Sequence, residues 1–352
     1  MRDPWAVLFW MSLLFVAYTY LGYPLVLFVW SRVRPRPVTR AASEPLVTLI
    51  VAAHNESRTL EAKIRNARAL DYPRERLRII VALDGCTDES AERVRCQAGP
   101  DLELLCLPAR RGKAVALNAA LARATGDVVV FADARQRLDT GALRALLAPL
   151  ADPEVGVVTG ELVLTDERGR ECGDGVGLYW RYEKKVRALE GRIHSVIGAT
   201  GALYAVRREL VAPLPEGTLL DDVLVPMRAV LQGRRCVFEP AARVYDRVAC
   251  CADAEYLRKV RTLAGNFQLL TLEPRLLSPR ENPVCLQFVS HKVARLLVPY
   301  ALVALLVSNA VLAASGPVFG TLLVLQAVFY ALAVLGDSLA GGEAPVRVRR
   351  EA

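Results

Sequence analysis

The chain is poor in histidine and in lysine. Its 352 residues include only three histidines, and the eight cysteines form no CxxC pair, so a zinc site is not expected. Cys250 and Cys251 are too close for an ordinary disulfide, and the cysteine usage suits a reducing compartment. Only six of the 45 basic residues are lysine, which reads as genome composition rather than selection for phosphate contact. No basic stripe interleaved with aromatics is present, the device single-strand binders use. The net charge of +8 gathers largely beside apolar runs, so anionic lipid is the expected partner and nucleic acid is not. No GxGxxG follows the first predicted strand and no Walker A lysine motif occurs, so dinucleotide and P-loop readings lack their signatures. There is no internal repeat.

Apolar sequence, by contrast, is abundant: 53% of residues are hydrophobic, enough for one sizeable domain with apolar chain left over. The run Trp5–Trp30 is nearly free of charge and exceeds the roughly 20 residues a bilayer requires. It is longer than the apolar core of a signal peptide and shows no small-residue cleavage site. Trp5 and Trp30, at its two ends, suit the headgroup regions. Two further runs, Leu296–Ala314 and Val318–Leu335, are joined by the tight turn Ser315-Gly316-Pro317. Arg32, Arg34, Arg36 and Arg40 follow the first run; Arg280, Lys292 and Arg295 precede the second; Arg347, Arg349 and Arg350 follow the third. Three spans with an outside N-terminus and an inside C-terminus satisfy all of these clusters, which predicts a multi-pass inner-membrane protein with a cytoplasmic middle.

Within that middle, strands are predicted at Leu46–Ala52, Leu77–Leu83, Leu102–Leu107, Val128–Ala132 and Val155–Thr159. Helices at Ser57–Leu70, Asp88–Gln97, the Gly112–Lys113 start and Thr140–Leu150 alternate with them, which implies a mostly parallel sheet covered on both sides. Leu60, Ile64 and Ala67 share one helix face; in the helix after Gly112, Val115, Leu117 and Leu121 are placed to face the core. Gly126 is expected for the backbone angles of a helix end. The strand from Val128 stops at Asp133, where open α/β sheets bind their ligands. Two more polar clusters sit at strand ends, His54-Asn55-Glu56 and Asp84-Gly85-Cys86-Thr87-Asp88. Together these loops form a convergent rim suited to a nucleotide, since carboxylates accept hydrogen bonds from base and ribose, and Lys113 can face a phosphate. Each feature taken alone has a plain structural reading. Asp133 fits a turn, Asp88 a helix cap, and Asp221-Asp222 an acid pair favoured at a helix N-terminus.

The segments VTLIVAAHNE, IIVALDGCTDES, RRGKAVALNAAL, VVVFADARQRL, GATGALYAVRR (Gly198–Arg208), LLDDVLVPMRAVLQGRRCVFEPAA (Leu219–Ala242) and RKVRTLAGNFQ (Arg258–Gln268) follow one another in order. From roughly Pro45 to Leu270 the chain resembles the processive-type family 2 glycosyltransferases, related to synthases of cellulose, hyaluronan and poly-N-acetylglucosamine. The resemblance implies an α/β fold: a GT-A type, mostly parallel sheet with helices on both faces, flanked by one N-terminal and two C-terminal transmembrane helices. It implies inverting transfer of a sugar from a UDP-sugar to a polysaccharide or glycolipid acceptor at the cytoplasmic membrane face.

Carried over position by position, Glu56 and Asp84 would hold the uridine, Lys113 would lie near the nucleotide, and Asp222 would be the general base. Asp221 beside it would raise the base's pKa by like-charge repulsion. Gly198 and Gly201 would let backbone approach the acceptor, and Arg258 and Arg261 would grip it. Asp133 matches the first acid of the family's DxD motif and would bind a divalent cation, Mg2+ or Mn2+. That motif reads Asp133-Ala134-Arg135, so either Asp133 holds the ion with diphosphate and water, or Arg135 neutralises the diphosphate itself. The family's QxxRW motif falls at Arg258–Thr262, where the arginine is retained and the glutamine and tryptophan are not, which leaves processivity open.

Arg135 and Thr262 also support an alternative, a nucleotide-sensing or scaffolding membrane protein that has lost catalysis. A further alternative is transfer of one sugar to a polyprenyl phosphate. Tyr179, Trp180 and Tyr182 read equally as a sugar-stacking surface or a helix anchor, and His54 as a pocket wall. Ser278–Leu297 suits a helix along the membrane surface. The resulting plan is a spanning helix over 1–31, a basic linker over 32–45 and a GT-A domain over 46–250. Acceptor-side and interface helices over 251–295, two spanning helices over 296–336 and a basic tail over 337–352 complete it.

Overall fold

The computed structural model describes residues 3–165, 177–247 and 252–341. Cys250, Cys251 and the arginines of the C-terminal tail lie outside the described residues. The chain forms two compact units, one of Met1–Val26, Ala249–Leu263 and Ser290–Ala352, the other of Leu27–Val248 and Ala264–Val289. It begins with α1 (Pro4–Ala17), which passes through one π turn into α2 (Tyr23–Val33). Asp3 caps this helix by accepting from the Trp5 amide, and Pro4 occupies the position where its missing N–H costs nothing.

The sheet unit contains β1 (Val47–Ala53), α3 (Ser57–Arg68), β2 (Leu77–Asp84), α4 (Ser90–Arg95), β3 (Leu102–Leu107) and α5 (Lys113–Leu121). It continues with β4 (Val128–Phe131), β5 (Arg137–Leu138), α6 (Ala142–Leu147), β6 (Val155–Thr165) and α7 (Gly177–Ile193), then β7 (Tyr204–Arg207), α8 (Asp221–Leu231) and β8 (Arg235–Arg247). The strand order is β3-β2-β1-β4-β7-β6-β8-β5. From β3 to β4 every pair is parallel, with Val47 opposite both Leu77 and Val128. Beyond β4 the sheet is mixed: β7 runs antiparallel to both β4 and β6, whereas β8 is parallel to β6. The sheet is thus parallel where strand and helix alternate in sequence, and β7 and β8, unmarked by that alternation, extend it.

β1 and β2 are buried along nearly their whole length, as uninterrupted apolar strands covered on both faces must be. Leu60, Ile64 and Ala67 of α3 pack into the same core as Leu146 and Leu147 of α6. In α5 the packing differs from the expectation. Leu117 is buried, but its neighbours in the core are Ala114, Ala116 and Ala120, while Val115 and Leu121 are half-buried. Alanines let the helix backbone lie close to the sheet, so the larger residues turn aside. Gly126 also has another cause than the one expected. A Cβ there would stand 2.6 Å from the Leu46 carbonyl and 2.9 Å from the Thr48 amide, so close approach to β1 demands glycine.

After β8 come α9 (Ala252–Leu272), α10 (Cys285–Phe288), α11 (Ala294–Leu312) and α12 (Pro317–Gly341). Ser278–Pro283 is a turn and not helix; helical structure starts at Cys285 and continues to Ser315. Among the described residues three helices, Pro4–Val33, Cys285–Ser315 and Pro317–Leu335, are long and apolar enough to cross a membrane, and the chain is a membrane protein. Within their unit Phe9 of α1 packs with Leu305 and Leu312 of α11, and its ring meets Phe319 edge-on at 5.3 Å. Polar groups in these helices find one another: the Tyr18 and Ser290 hydroxyls lie 2.7 Å apart, and Gln326 donates to Tyr330, which donates to the Leu302 carbonyl.

Candidate active site

The loops that leave β1 and β2 are tied into one surface. A His54 ring nitrogen lies 2.6 Å from the Asp84 carbonyl oxygen, the Asn55 amide donates to Cys86 Sγ, and Asn55 Oδ1 accepts from the Thr87 amide. Asn55 adopts a left-handed backbone at φ 53°, a conformation its short polar side chain tolerates. The Glu56 amide donates to the Ser90 hydroxyl, and one Glu56 carboxylate oxygen accepts from the Thr59 hydroxyl at 2.9 Å. Asp88 caps two helices at once, one oxygen accepting from the Ser57 amide and the other from the Ser90 amide. Slight burial works to raise its carboxyl, but the hydrogen bonds from Ser90 and Ser57 win and hold it down at about 2.

Asp84 is buried, and both its oxygens accept backbone hydrogen bonds, from the Arg111 amide at 2.7 Å and the Gly112 amide at 2.8 Å. That grip fixes the start of α5 and aims Lys113. The ammonium of Lys113 lies 3.1 Å from an Asp133 oxygen and 3.3 Å from an Asp221 oxygen. Burial acts to lower its pKa, but the charges of Asp221, Asp133 and Asp222 outweigh burial and hold it above the ordinary lysine range. Asp133 follows the end of β4, while Asp221 and Asp222 form the first turn of α8, where the dipole favours negative charge. Gly201 sits where these groups meet: a Cβ there would lie 3.3 Å from an Asp222 oxygen and 3.6 Å from an Asp133 oxygen.

Two unexpected side chains support this cluster from below. Lys63, on the core face of α3, is buried and donates to the Gln136 carbonyl at 2.9 Å, which holds the loop after Asp133. Burial pulls its pKa down to about 8, with Asp133 opposing. Tyr204 of β7 stacks on Phe131 at 4.7 Å, and its hydroxyl is buried. Burial first, then the charges of Asp221, Asp222 and Asp133, push that hydroxyl far above the usual tyrosine range. Neither the Tyr204 hydroxyl nor the second Asp221 oxygen has a hydrogen-bond partner among the described residues. A lysine at i+3 from Leu60 on a core-facing stripe was the sequence signal for Lys63. Tyr204 had none.

Asp84, Lys113, Asp133 and Asp221 are therefore linked through successive contacts, Asp133 and Asp222 both border Gly201, and Glu56 belongs to the β1 loop tied to that of Asp84. Arg135 turns elsewhere: it pairs with the buried carboxylate of Asp246 on β8 at 2.9 Å, and Gln136 donates to the same oxygen. Arg258 and Arg261 lie on the first half of α9, in the other unit. Trp180 donates its indole N–H to the Leu162 carbonyl, while Tyr179, 60% exposed, stacks on Tyr182.

The residues present fit a divalent cation. The missing methyl at Gly201 leaves a gap between oxygens of Asp133 and Asp222, and carboxylate oxygens are the donors Mg2+ and Mn2+ prefer. Among the described residues no group of three or more acidic, histidine or cysteine side chains is arranged to hold an ion by itself. Further ligands would come from substrate and water.

A sheet of this order, with its acids gathered beyond the strand ends, is the architecture of GT-A glycosyltransferases. Residues 48–211 match the model of glycosyl transferase family 2. A poly-beta-1,6-N-acetyl-D-glucosamine synthase of Staphylococcus aureus is 27% identical over 234 residues, covering 64% of this chain and 55% of the relative. An N-acetylglucosaminyltransferase of Rhizobium meliloti is 30% identical over 175 residues, covering 48% of this chain and 41% of the relative. The chain thus spans about half the length of the curated relatives it matches. Among solved structures, a mannosyltransferase from Pyrobaculum calidifontis in complex with GDP-Man and Mn2+ matches with a TM-score of 0.71 and 25% identity, covering 93% of this chain and 98% of that one.

Proposed function

We propose that the protein is an inverting hexosyltransferase that moves a sugar from a UDP-sugar to a polysaccharide or glycolipid acceptor. The reaction would run at the cytoplasmic face of the inner membrane. One observation carries this reading: Lys113 is held between Asp133 and Asp221 while Asp222 faces the same gap at Gly201. In this reading the nucleoside lies against the Glu56 and Asp84 loops, and Asp84 acts by fixing the segment that aims Lys113. Asp222 accepts the proton of the attacking hydroxyl. The new C–O bond forms at the anomeric carbon as the bond to the diphosphate breaks, and the electron pair leaves with the diphosphate. Lys113 offsets the negative charge that gathers there. A divalent cation, when bound by Asp133, supplies further positive charge to the departing diphosphate. Gly198 and Gly201 serve the acceptor in this reading, and Arg135 steadies the Asp133 loop through Asp246.

The relatives named for N-acetylglucosamine transfer support N-acetylglucosamine as the sugar. The mannosyltransferase solved with GDP-Man supports a second reading, a guanosine diphosphate donor. A screen of UDP- and GDP-sugars, following nucleotide release by the full chain in membranes, tests both. Release of UDP from one donor, abolished by Asp222→Asn, is the expected result. Normal nucleotide binding with no turnover of any donor would overturn the assignment of a transferase.

A further inference from the structure

Behind the glycine loop lies a cation that the donor side does not employ. Arg187 sits about three turns into α7, and its guanidinium donates through Nη2 to the Gly198 carbonyl and to the Thr159 hydroxyl, each at 3.4 Å. Its planar group lies 5.5 Å from the centre of the Phe238 ring, a stacking arginine favours and lysine does not reproduce. Thr159 of β6 is fully buried, and its hydroxyl oxygen also accepts from the Thr200 amide at 2.9 Å. From the other side the Ala199 amide donates to the Asp222 carbonyl at 2.7 Å.

Three consecutive residues are thus pinned, Gly198 by Arg187, Ala199 by Asp222 and Thr200 by Thr159. The loop has little latitude of its own, because Gly198 takes φ 98° and a Cβ there would stand 3.0 Å from a Val223 methyl. The next residue is Gly201, which borders the Asp133 and Asp222 carboxylates. A shift of the Gly198–Thr200 backbone would therefore move Gly201 against the Asp222 side chain. The described hydrogen bonds of Arg187 go to this loop and its hydroxyl support, and not to the segments around Glu56, Asp84 or Lys113.

We propose that Arg187, acting through Thr159 and the Gly198 carbonyl, is a positioning residue for the acceptor side of the site. It sets the spacing between Gly201 and Asp222 into which the attacking hydroxyl enters. The proposal rests on Asp222 being the base, as argued above. Misplacing that spacing by a fraction of an ångström slows the attack on the anomeric carbon while leaving the nucleotide's contacts as they were.

The test uses the full chain in membranes with the donor identified by the screen. It measures sugar incorporation into membrane material and, separately, the affinity for the free nucleoside diphosphate. Arg187→Met and the near-isosteric Thr159→Val are each expected to cut incorporation on the order of 100-fold with nucleotide affinity unchanged. Thr159→Ser, which restores the hydroxyl, and Arg187→Lys, which restores one donor, are expected to recover part of the rate, the serine more fully. Should Arg187→Met fail to fold, Thr159→Val alone decides. Parallel loss of transfer and nucleotide affinity, or undiminished transfer in Thr159→Val, would overturn the proposal. A wild-type chain that transfers no sugar from any donor would sink the transferase reading, and this assignment with it.

Discussion

Acids at two places on the same sheet edge are treated in opposite ways. Beyond β1 and β2, the carboxylates of Asp84 and Asp88 are saturated by backbone amides, two apiece. Beyond β4 and at the start of α8, Asp133 and Asp221 share one lysine ammonium, Asp222 and Asp133 both border Gly201, and one Asp221 oxygen has no hydrogen-bond partner among the described residues. The first arrangement spends acidity on shape, because hydrogen bonds from amides lock loops and caps. The second keeps charge concentrated around a single cation and a gap. In the proposed reaction, local charge density rather than the number of acids separates a supporting carboxylate from a reacting one.

Four substitutions test that contrast. The largest effect is expected at Asp222: its replacement by asparagine removes the proposed proton acceptor and should lower transfer on the order of 1,000-fold, with nucleotide affinity retained. Comparable activity in Asp222→Asn, read from sugar incorporation, would erase the distinction between the two groups of acids. Next comes Gly201→Ala, whose methyl would enter the space between the carboxylates and should reduce the turnover rate roughly 10- to 100-fold. Its thermal unfolding should scarcely move, since the neighbouring carboxylate tips can shift by a few tenths of an ångström.

On the shape-giving side, Asp88→Ala should leave the catalytic constant alone and cost about 1–2 kcal/mol in thermal or denaturant unfolding, because two helices lose their caps together. The smallest effect concerns Lys63. Burial lowers its pKa from 10.5 to about 8, so between those values the unfolded chain holds a proton that the folded chain has released. Stability contributed by this group therefore rises with pH across that window, and below it the burden of burying the charge is felt in full. Compared with Lys63→Met, the wild type should gain stability as pH climbs from about 8 towards 10.5. Parallel pH profiles for the two would show that Lys63 does not titrate there.

The parallel half of the sheet was readable because its strands are apolar runs that alternate with helices. The run at Leu102–Leu107 agrees end for end with β3. β7 and β8 were not read as strands: Tyr204–Arg207 is only four residues long and is recruited by hydrogen bonding to β4 and β6, partners distant in sequence. Among site residues, the acids and Lys113 announced themselves by standing at strand and helix ends. Arg187 and Thr159 did not, since the roles proposed for them come from contacts with a loop that the chain reaches by different routes. Arg135 shows the reverse: in sequence it stands beside Asp133 and invites a role on the diphosphate, yet its side chain is drawn to a buried carboxylate more than a hundred residues later.

By itself the sequence determined that the chain would enter a membrane and fold an α/β sheet with acids at its strand ends, because hydropathy and period are local properties. Which of those acids would be silenced by backbone amides, and which would be left crowded about Lys113, was decided only when segments remote along the chain came together. Electrostatic interaction depends on distances of a few ångströms, and those distances exist only in the folded molecule.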